Sequence, residues 1–129
     1  EAYRKGKRKL NQDLVYTDLS SKAMVEKAVE ELKKSGVECI LCQDDYICDE
    51  AVRKLSHMGV RIPDQMKVAS CHYSRILENY PVTVTSLKFN ITELGRRSCQ
   101  VLLDMIHGKT VPDKTLLDYE IILKESTKG

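Results

Sequence analysis

Two adjacent carboxylates, Asp44 and Asp45, lie between an apolar run and a segment with helical periodicity. The run, residues 37–42, has the length of a β-strand. The helical segment ends at Gly59, shortly before a second apolar run at residues 66–71. This order predicts a βαβ unit with parallel strands and a right-handed crossover. Ligands of open parallel sheets bind beyond the carboxyl ends of the strands, so the two carboxylates mark the edge where a small-molecule site is expected.

Further predicted elements extend this unit into an α/β fold. They are a weak basic helix at residues 1–10, a strand at Leu14–Thr17, a helix at Lys22–Ser35, a strand at Val82–Leu87, a helix capped by Asn90 that ends at Gly108, and a last strand at Leu116–Leu123. Residues 37–42 are almost entirely apolar, as expected of a central strand covered on both faces. The predicted class is α/β, a three-layer, mostly parallel open sheet with helices on both faces.

Charge argues against a nucleic-acid-binding surface on this chain. The 129 residues are 42% hydrophobic and 31% charged, which suits one globular domain. The formal net charge is +2, but residues 1–10 alone carry +4, so the remainder is slightly negative. Phosphate binding needs basic groups gathered on a folded surface, and here they are concentrated in one terminal segment.

The five cysteines favour a reducing, cytoplasmic location. They are odd in number and lie mostly within apolar runs, as buried thiols do. Cys39 and Cys42 form a C-x-x-C, but an offset of three on a strand directs the side chains to opposite faces, which disfavours a redox or metal site. No apolar run is long enough to span a membrane, and the start without Met favours a piece of a longer protein.

Mostly polar residues follow each of the first three predicted strands and define a candidate ligand site. Its members are Asp18, Leu19, Asp44, Asp45, His72 and Tyr73. Taken singly, the carboxylates can be read as helix caps and His72 as a loop residue; taken together, the three loops favour a site for a polar ligand. The chain offers no catalytic triad and no phosphate-binding glycine loop, so we expect no enzymatic activity, cofactor or metal.

Several motifs together resemble the ligand-sensing core of LacI/GalR-type bacterial transcription regulators. They are Cys42–Asp45, Leu55–Val68, Val82–Leu87, Glu93–Gly95 and Leu123–Thr127, in this order and spacing. The resemblance implies a periplasmic-binding-protein-like core of two subdomains around a sugar or related effector, and it implies an N-terminal helix-turn-helix for operator DNA. This chain corresponds to the C-terminal subdomain plus a crossover segment, residues 85–109; the DNA-binding domain and the first subdomain are absent from it.

The resemblance also implies a homodimer with a contact surface on this chain. That surface comprises Asp49, Val52, Arg53, Glu78, Asn79 and Tyr80. The chain departs from the family pattern at Leu19, where some members have an aromatic residue, and at Lys124, where an arginine is usual. Asp44 replaces an asparagine, and His72 lies where an effector-contacting aspartate is common, which disfavours a simple neutral hexose as effector.

Two other classes of function compete with a regulator. A solute-binding protein used in transport would share the fold, but the thiol content disfavours an oxidising compartment. A receiver-like phosphoacceptor domain would use Asp44 and Asp45 to hold Mg²⁺, but it also needs a lysine at a strand end, and none is evident. The preferred interpretation is the effector-sensing and dimerisation part of a regulator.

Overall fold

A computed structural model describes Gly6 and residues 9–128. The expected basic helix falls largely on residues outside that range. The helices are α1 (Lys22–Lys34), α2 (Asp45–His57) and α3 (Ile91–Ile106). The strands are β1 (Cys39–Cys42), β2 (Lys67–Ser70), β3 (Thr85–Phe89) and β4 (Tyr119–Ile122). Short 3₁₀ turns cover Gln12–Leu14, Arg75–Glu78 and Glu125–Thr127. None of the helices described has the length and apolar character needed to cross a membrane.

The four strands form one sheet in the order β1-β2-β3-β4. The first two pairings are parallel, with Cys42 opposite Ser70 and Ser70 opposite Ser86. The last pairing is antiparallel, with Phe89 opposite Tyr119. The α/β class and the mostly parallel open sheet are therefore confirmed.

Helices α1 and α2 supply most of the core and are delimited by local signals in the sequence. Ser21 and Asp44 cap their N-termini through hydrogen bonds to backbone N–H groups, and Gly36 and Gly59 follow their C-termini with φ values of 74° and 69°. The buried apolar positions recur at helical spacing on both helices. The core combines Val25 and Val29 of α1, Cys48, Ala51, Val52 and Leu55 of α2, and Ile40, Cys42, Met66, Val68, Leu77 and Val84.

Two expectations at the start of the sheet are wrong. The segment Leu14–Thr17 forms no strand, because Leu14 ends a 3₁₀ turn and residues 15–17 pair with no strand among the residues described. Without that neighbour, β1 is an edge strand rather than a central one. Its burial alternates: Cys39 is exposed and Leu41 is 68% exposed, whereas Ile40 and Cys42 are buried. An apolar run does not by itself show how many faces a strand buries.

The segment from residue 88 to residue 123, here called the arm, extends away from this core. It contains the end of β3, then α3 and β4. Asn90 caps α3 as predicted, since its side chain accepts a hydrogen bond from the Glu93 N–H at 3.0 Å. All sixteen residues of α3 are described, and none is buried. The chain then returns to the core at Ser126, which is fully buried.

Candidate ligand site

The strand register brings three polar residues to one edge of the sheet. Cys42, Ser70 and Ser86 are aligned across β1, β2 and β3. Asp44 and His72 each follow two residues later, as does Lys88 in β3. The backbone continues this alignment past the first strand, because the Cys71 N–H donates to the Cys42 carbonyl at 2.8 Å. The predicted juxtaposition of the ends of β1 and β2 is therefore present.

Asp44 caps α2, and Asp45 is the first residue of that helix. One oxygen of Asp44 accepts from the Ile47 N–H at 2.8 Å, and one oxygen of Asp45 accepts from the Tyr46 N–H at 3.0 Å. A carboxylate at a helix N-terminus is stabilised by the free N–H groups and the helix dipole. Both residues are only partly buried, so capping leaves part of each accessible to solvent.

Asp18 and Leu19 are not brought to the sheet edge by strand pairing. Asp18 is exposed and has a φ of 57°, and its carbonyl accepts from the Ser20 N–H at 2.8 Å, which forms a tight turn before α1. Leu19 packs against the core cluster. These two residues therefore have a structural role in the turn and core, and their part in a ligand site stays a prediction.

A cavity of about 640 Å³ lies where β2 and β3 end. It is lined by His72 and Tyr73, by residues 87–92 at the junction of β3 and α3, and by residues 118–120 at the start of β4. The predicted residues His72 and Tyr73 are thus in the cavity wall, whereas Asp18, Leu19, Asp44 and Asp45 are not. The same reasoning about strand ends, applied to β3, finds Lys88 and Asn90, so the expectation that no lysine lies at a strand end is wrong. Residues 118–120 lie at the start of an antiparallel strand, not at a carboxyl end, and carry no such signal.

Tyr73 is held by a charged cluster behind the cavity. Its hydroxyl donates to Oε1 of Glu78 at 2.8 Å, and Nζ of Lys124 donates to the same oxygen at 3.0 Å. The ammonium groups of Lys124 and Lys88 lie 5.6 and 5.7 Å from the centre of the Tyr73 ring. The hydrogen bond to Glu78 raises the pKa of Tyr73, and the bonds from Lys124 and Tyr73 lower the pKa of Glu78.

The residues predicted to form the dimer surface divide into two clusters. Asp49 accepts from Nε of Arg53 at 2.9 Å and from the hydroxyl of Tyr80, and the Arg53 guanidinium lies 5.7 Å from the centre of the Tyr80 ring. Val52 is only 5% exposed, so little of its side chain remains for a partner. Glu78 faces Tyr73 and Lys124 instead.

Electrostatics in the Asp49 cluster follow from its burial and hydrogen bonds. Burial by itself would raise the pKa of Asp49, but hydrogen bonds from Arg53 and Tyr80 outweigh it, so the pKa lies below its ordinary value. Burial and the bond to Asp49 raise the pKa of Tyr80. A groove of about 320 Å³ borders this cluster, lined by Val52, Tyr80 and residues 59–62 among others.

Two of the five cysteines, Cys42 and Cys48, are buried as expected, whereas Cys39 and Cys99 are exposed and Cys71 is partly buried. Cys39 is exposed and Cys42 is buried, as predicted for opposite faces of a strand. A hydrogen bond with Cys48 and burial raise the pKa of Cys42, which keeps this thiol protonated. Across the residues that the structure describes, no group of three or more His, Cys, Asp or Glu side chains is arranged to hold a metal ion.

Comparisons with known proteins identify related chains. A family described as "Periplasmic binding protein-like domain" matches residues 1–127. The HTH-type transcriptional repressor MelR of Bacillus subtilis (strain 168) is 25% identical over 89 residues, which cover 69% of this chain and 26% of the repressor. The crystal structure of the transcription regulator CcpA of Lactococcus lactis superposes with a TM-score of 0.85 at 22% identity, covering 98% of this chain and 47% of that one.

A further structure, of a transcriptional regulator CelR-cellobiose complex, superposes with a TM-score of 0.81 at 23% identity. It covers 97% of this chain and 39% of that one. At these identities the structures establish the fold. The chain spans less than half the length of each of these three relatives.

Proposed function

This chain belongs to the family of periplasmic binding protein-like domains and matches LacI/GalR-type transcription regulators, and we propose that it is the C-terminal part of such a regulator's effector-sensing core. In this proposal a sugar or related polar metabolite binds at the carboxyl edge of the sheet. Binding shifts the population between conformations that bind operator DNA and conformations that do not. DNA is contacted by a domain outside this chain, and the protein acts in the cytoplasm without catalysing a reaction.

The observation that carries the proposal is the cavity at the ends of β2 and β3. Its volume, about 640 Å³, is within the range of pockets that hold small ligands. Its wall combines hydrogen-bonding groups of His72, Asn90 and Asp118 with the aromatic rings of Tyr73 and Tyr119. Sugars present hydroxyl groups and apolar C–H faces together, and a wall of this composition can bind both.

The exposed side of α3 supports a second subdomain that completes this site. Its leucine, isoleucine and methionine side chains are about half exposed or more, among them Leu94 at 49% and Ile106 at 69%. A contiguous apolar face of this kind is a signature of an interaction surface. CcpA of L. lactis, which superposes on 98% of this chain, is about twice as long. We infer that the missing first subdomain covers α3 and closes the cavity from the other side.

A homodimer is proposed through the surface that contains Asp49, Arg53, Asn79 and Tyr80. The ion pair and the contact with the partly buried Tyr80 ring fix the exposed Arg53 side chain before a partner arrives, which lowers the entropic cost of association. The relatives named above are transcription regulators, which favours a regulator over the alternative of a solute-binding protein used in transport.

Isothermal titration of the full-length protein with cellobiose, glucose and glucose 6-phosphate tests the ligand class. We expect at least one of these to bind with a dissociation constant in the micromolar range, and His72→Asp to change that constant by about tenfold or more. His57→Asp, which removes an imidazole from the exposed end of α2, is the matched control and should change affinity by less than about twofold. If none of the three ligands binds, or if the two variants behave alike, the proposed ligand site is wrong.

A further inference from the structure

The last turn of the chain is fixed firmly to the strands. Ser126 is fully buried: its hydroxyl donates to the Val68 carbonyl at 2.6 Å, and its N–H donates to the Thr83 carbonyl at 3.0 Å. The hydroxyl of Thr85 accepts from the Lys124 N–H at 2.8 Å. These bonds hold the backbone at Lys124 in one place relative to β2 and β3.

From this fixed backbone the Lys124 side chain reaches the segment that follows β2. Its side chain is only 20% exposed, and its ammonium group meets Glu78 at 3.0 Å. The same carboxylate oxygen accepts the Tyr73 hydroxyl at 2.8 Å. Lys124 is thus linked to Tyr73 through Glu78, and its charge also lies against the face of the tyrosine ring.

Tyr73 needs such support because it lies outside regular structure. Residues 71–74 belong to neither a helix nor a strand, so no ladder of backbone hydrogen bonds holds the residue. An unsupported tyrosine would sample several rotamers, and ordering that side chain on binding would weaken the affinity for a ligand. Tyr73 lines the cavity, whereas Lys124 and Glu78 do not.

We infer that Lys124 and Glu78 are positioning residues, which fix the Tyr73 ring in the cavity wall and set ligand affinity without touching the ligand. The inference rests on the function proposed above. It extends to Lys88, which lines the cavity and whose ammonium group lies 5.7 Å from the centre of the same ring. A fixed ring holds this second cation in place through a cation–π contact.

The test uses the full-length protein and variants at Tyr73 and Lys124. Glu78 itself is left intact because it also belongs to the predicted dimer surface. Lys124→Met removes the charge and keeps the apolar stem, Lys124→Arg keeps the charge, and Tyr73→Phe removes the hydroxyl. Lys128→Met is the matched control, since Lys128 is on the same tail, 67% exposed, and paired only with Glu125 among the residues described.

Two measurements are made, the first of them on the lysine variants only, since Tyr73→Phe has no tyrosine at that position. The first is the ring resonance of Tyr73 in protein carrying ¹³C-labelled tyrosine; it should move in Lys124→Met and stay in place in Lys128→Met. The second is titration with cellobiose. We expect Lys124→Met and Tyr73→Phe to weaken binding by about three- to tenfold, and Lys124→Arg to restore it to within about twofold.

The outcomes separate this inference from the proposed function. An unmoved Tyr73 resonance in Lys124→Met overturns the positioning role. Weaker binding in Tyr73→Phe combined with unchanged binding in Lys124→Met overturns it as well. If wild type does not bind cellobiose, that sugar is excluded as effector, and the Tyr73 resonance alone decides the positioning role.

Discussion

Helices α2 and α3 have the same kind of amphipathic pattern and opposite surroundings. Helix α2 buries Cys48, Ala51, Val52 and Leu55 against the sheet and α1. Helix α3 is longer, begins with a well-formed cap and carries a regular apolar face, yet none of its residues is buried. Periodicity therefore specifies which side of a helix needs a partner, and it does not say whether that partner is in the same chain. The core and the arm differ for this reason.

The largest expected effect contrasts one leucine from each helix. Leu55→Ala should reduce the free energy of unfolding of the 129-residue chain by about 2–5 kcal/mol, because Leu55 is fully buried and truncation leaves a cavity. Leu102→Ala removes the same atoms from a side chain that is 58% exposed and should change stability by less than about 0.5 kcal/mol. Urea unfolding measures both. Equal losses would mean that α3 is packed within this chain.

A second pair concerns the point where the arm returns to the core. Ser126→Ala should destabilise the chain by about 2 kcal/mol, because it leaves the Val68 carbonyl and the Thr85 N–H buried without their partner. Ser98→Ala, on the exposed surface of α3, should be close to neutral, since alanine favours helix. Urea unfolding measures the change in stability of both variants. If Ser126→Ala leaves the free energy of unfolding unchanged, contacts other than those of the Ser126 hydroxyl hold the end of the arm to the core.

The third pair uses two similar ion pairs. Arg53 contacts Asp49 and Arg97 contacts Glu93, each four residues away with Nε 2.9 Å from a carboxylate oxygen. Arg53→Glu in the full-length protein should raise the dimer dissociation constant by about tenfold or more, because a two-fold axis repeats the change. Arg97→Glu should leave the dimer dissociation constant unchanged. Sedimentation equilibrium measures the constants, and an unaffected dimer in Arg53→Glu would show that the proposed surface is wrong.

The smallest effect is the pH dependence of α3. Hydrogen bonds from Arg96 and Arg97 lower the pKa of Glu93 from an ordinary value of 4.5 to about 2. Since a depressed carboxylate pKa favours the folded state above the unfolded pKa, this contribution is present above about pH 4.5 and is lost as the pH falls through about 2. Backbone Cα chemical shifts of α3 should therefore show Glu93→Gln less helical than wild type at pH 6 and equal to it near pH 2. If the difference in helicity between Glu93→Gln and wild type is the same at both pH values, the ionised Glu93 carboxylate is not its cause.

Much of the fold could be predicted because its signals are local. The caps at Asp44 and Asn90 and the stops at Gly36 and Gly59 follow from short stretches of sequence, and the structure has all four. The strand predicted at Leu14–Thr17 is wrong because strand formation needs a hydrogen-bonded neighbour, which composition does not supply. The edge position of β1 could not be predicted from the sequence for the same reason.

The candidate site could be predicted in part. Its edge of the sheet follows from the βαβ order, and His72 and Tyr73 do line the cavity. Residues 118–120 reach the cavity through the antiparallel pairing of β3 with β4, and the support of Tyr73 depends on a contact across 46 residues between Lys124 and Glu78. No periodicity reveals either contact. Asp18 and Leu19 follow a predicted strand that does not form, so their role in binding stays a prediction.

Hydrogen exchange of α3 tests most directly whether this chain is one half of a two-part effector core. The amides of residues 91–106 are compared in the 129-residue chain, kept monomeric by dilution, and in the full-length protein, with α2 as the internal reference. We predict that α2 is protected in both and that α3 is protected only in the full-length protein, where the proposed companion subdomain covers its apolar face. Equal protection of α3 in both, or rapid exchange in both, would contradict the account.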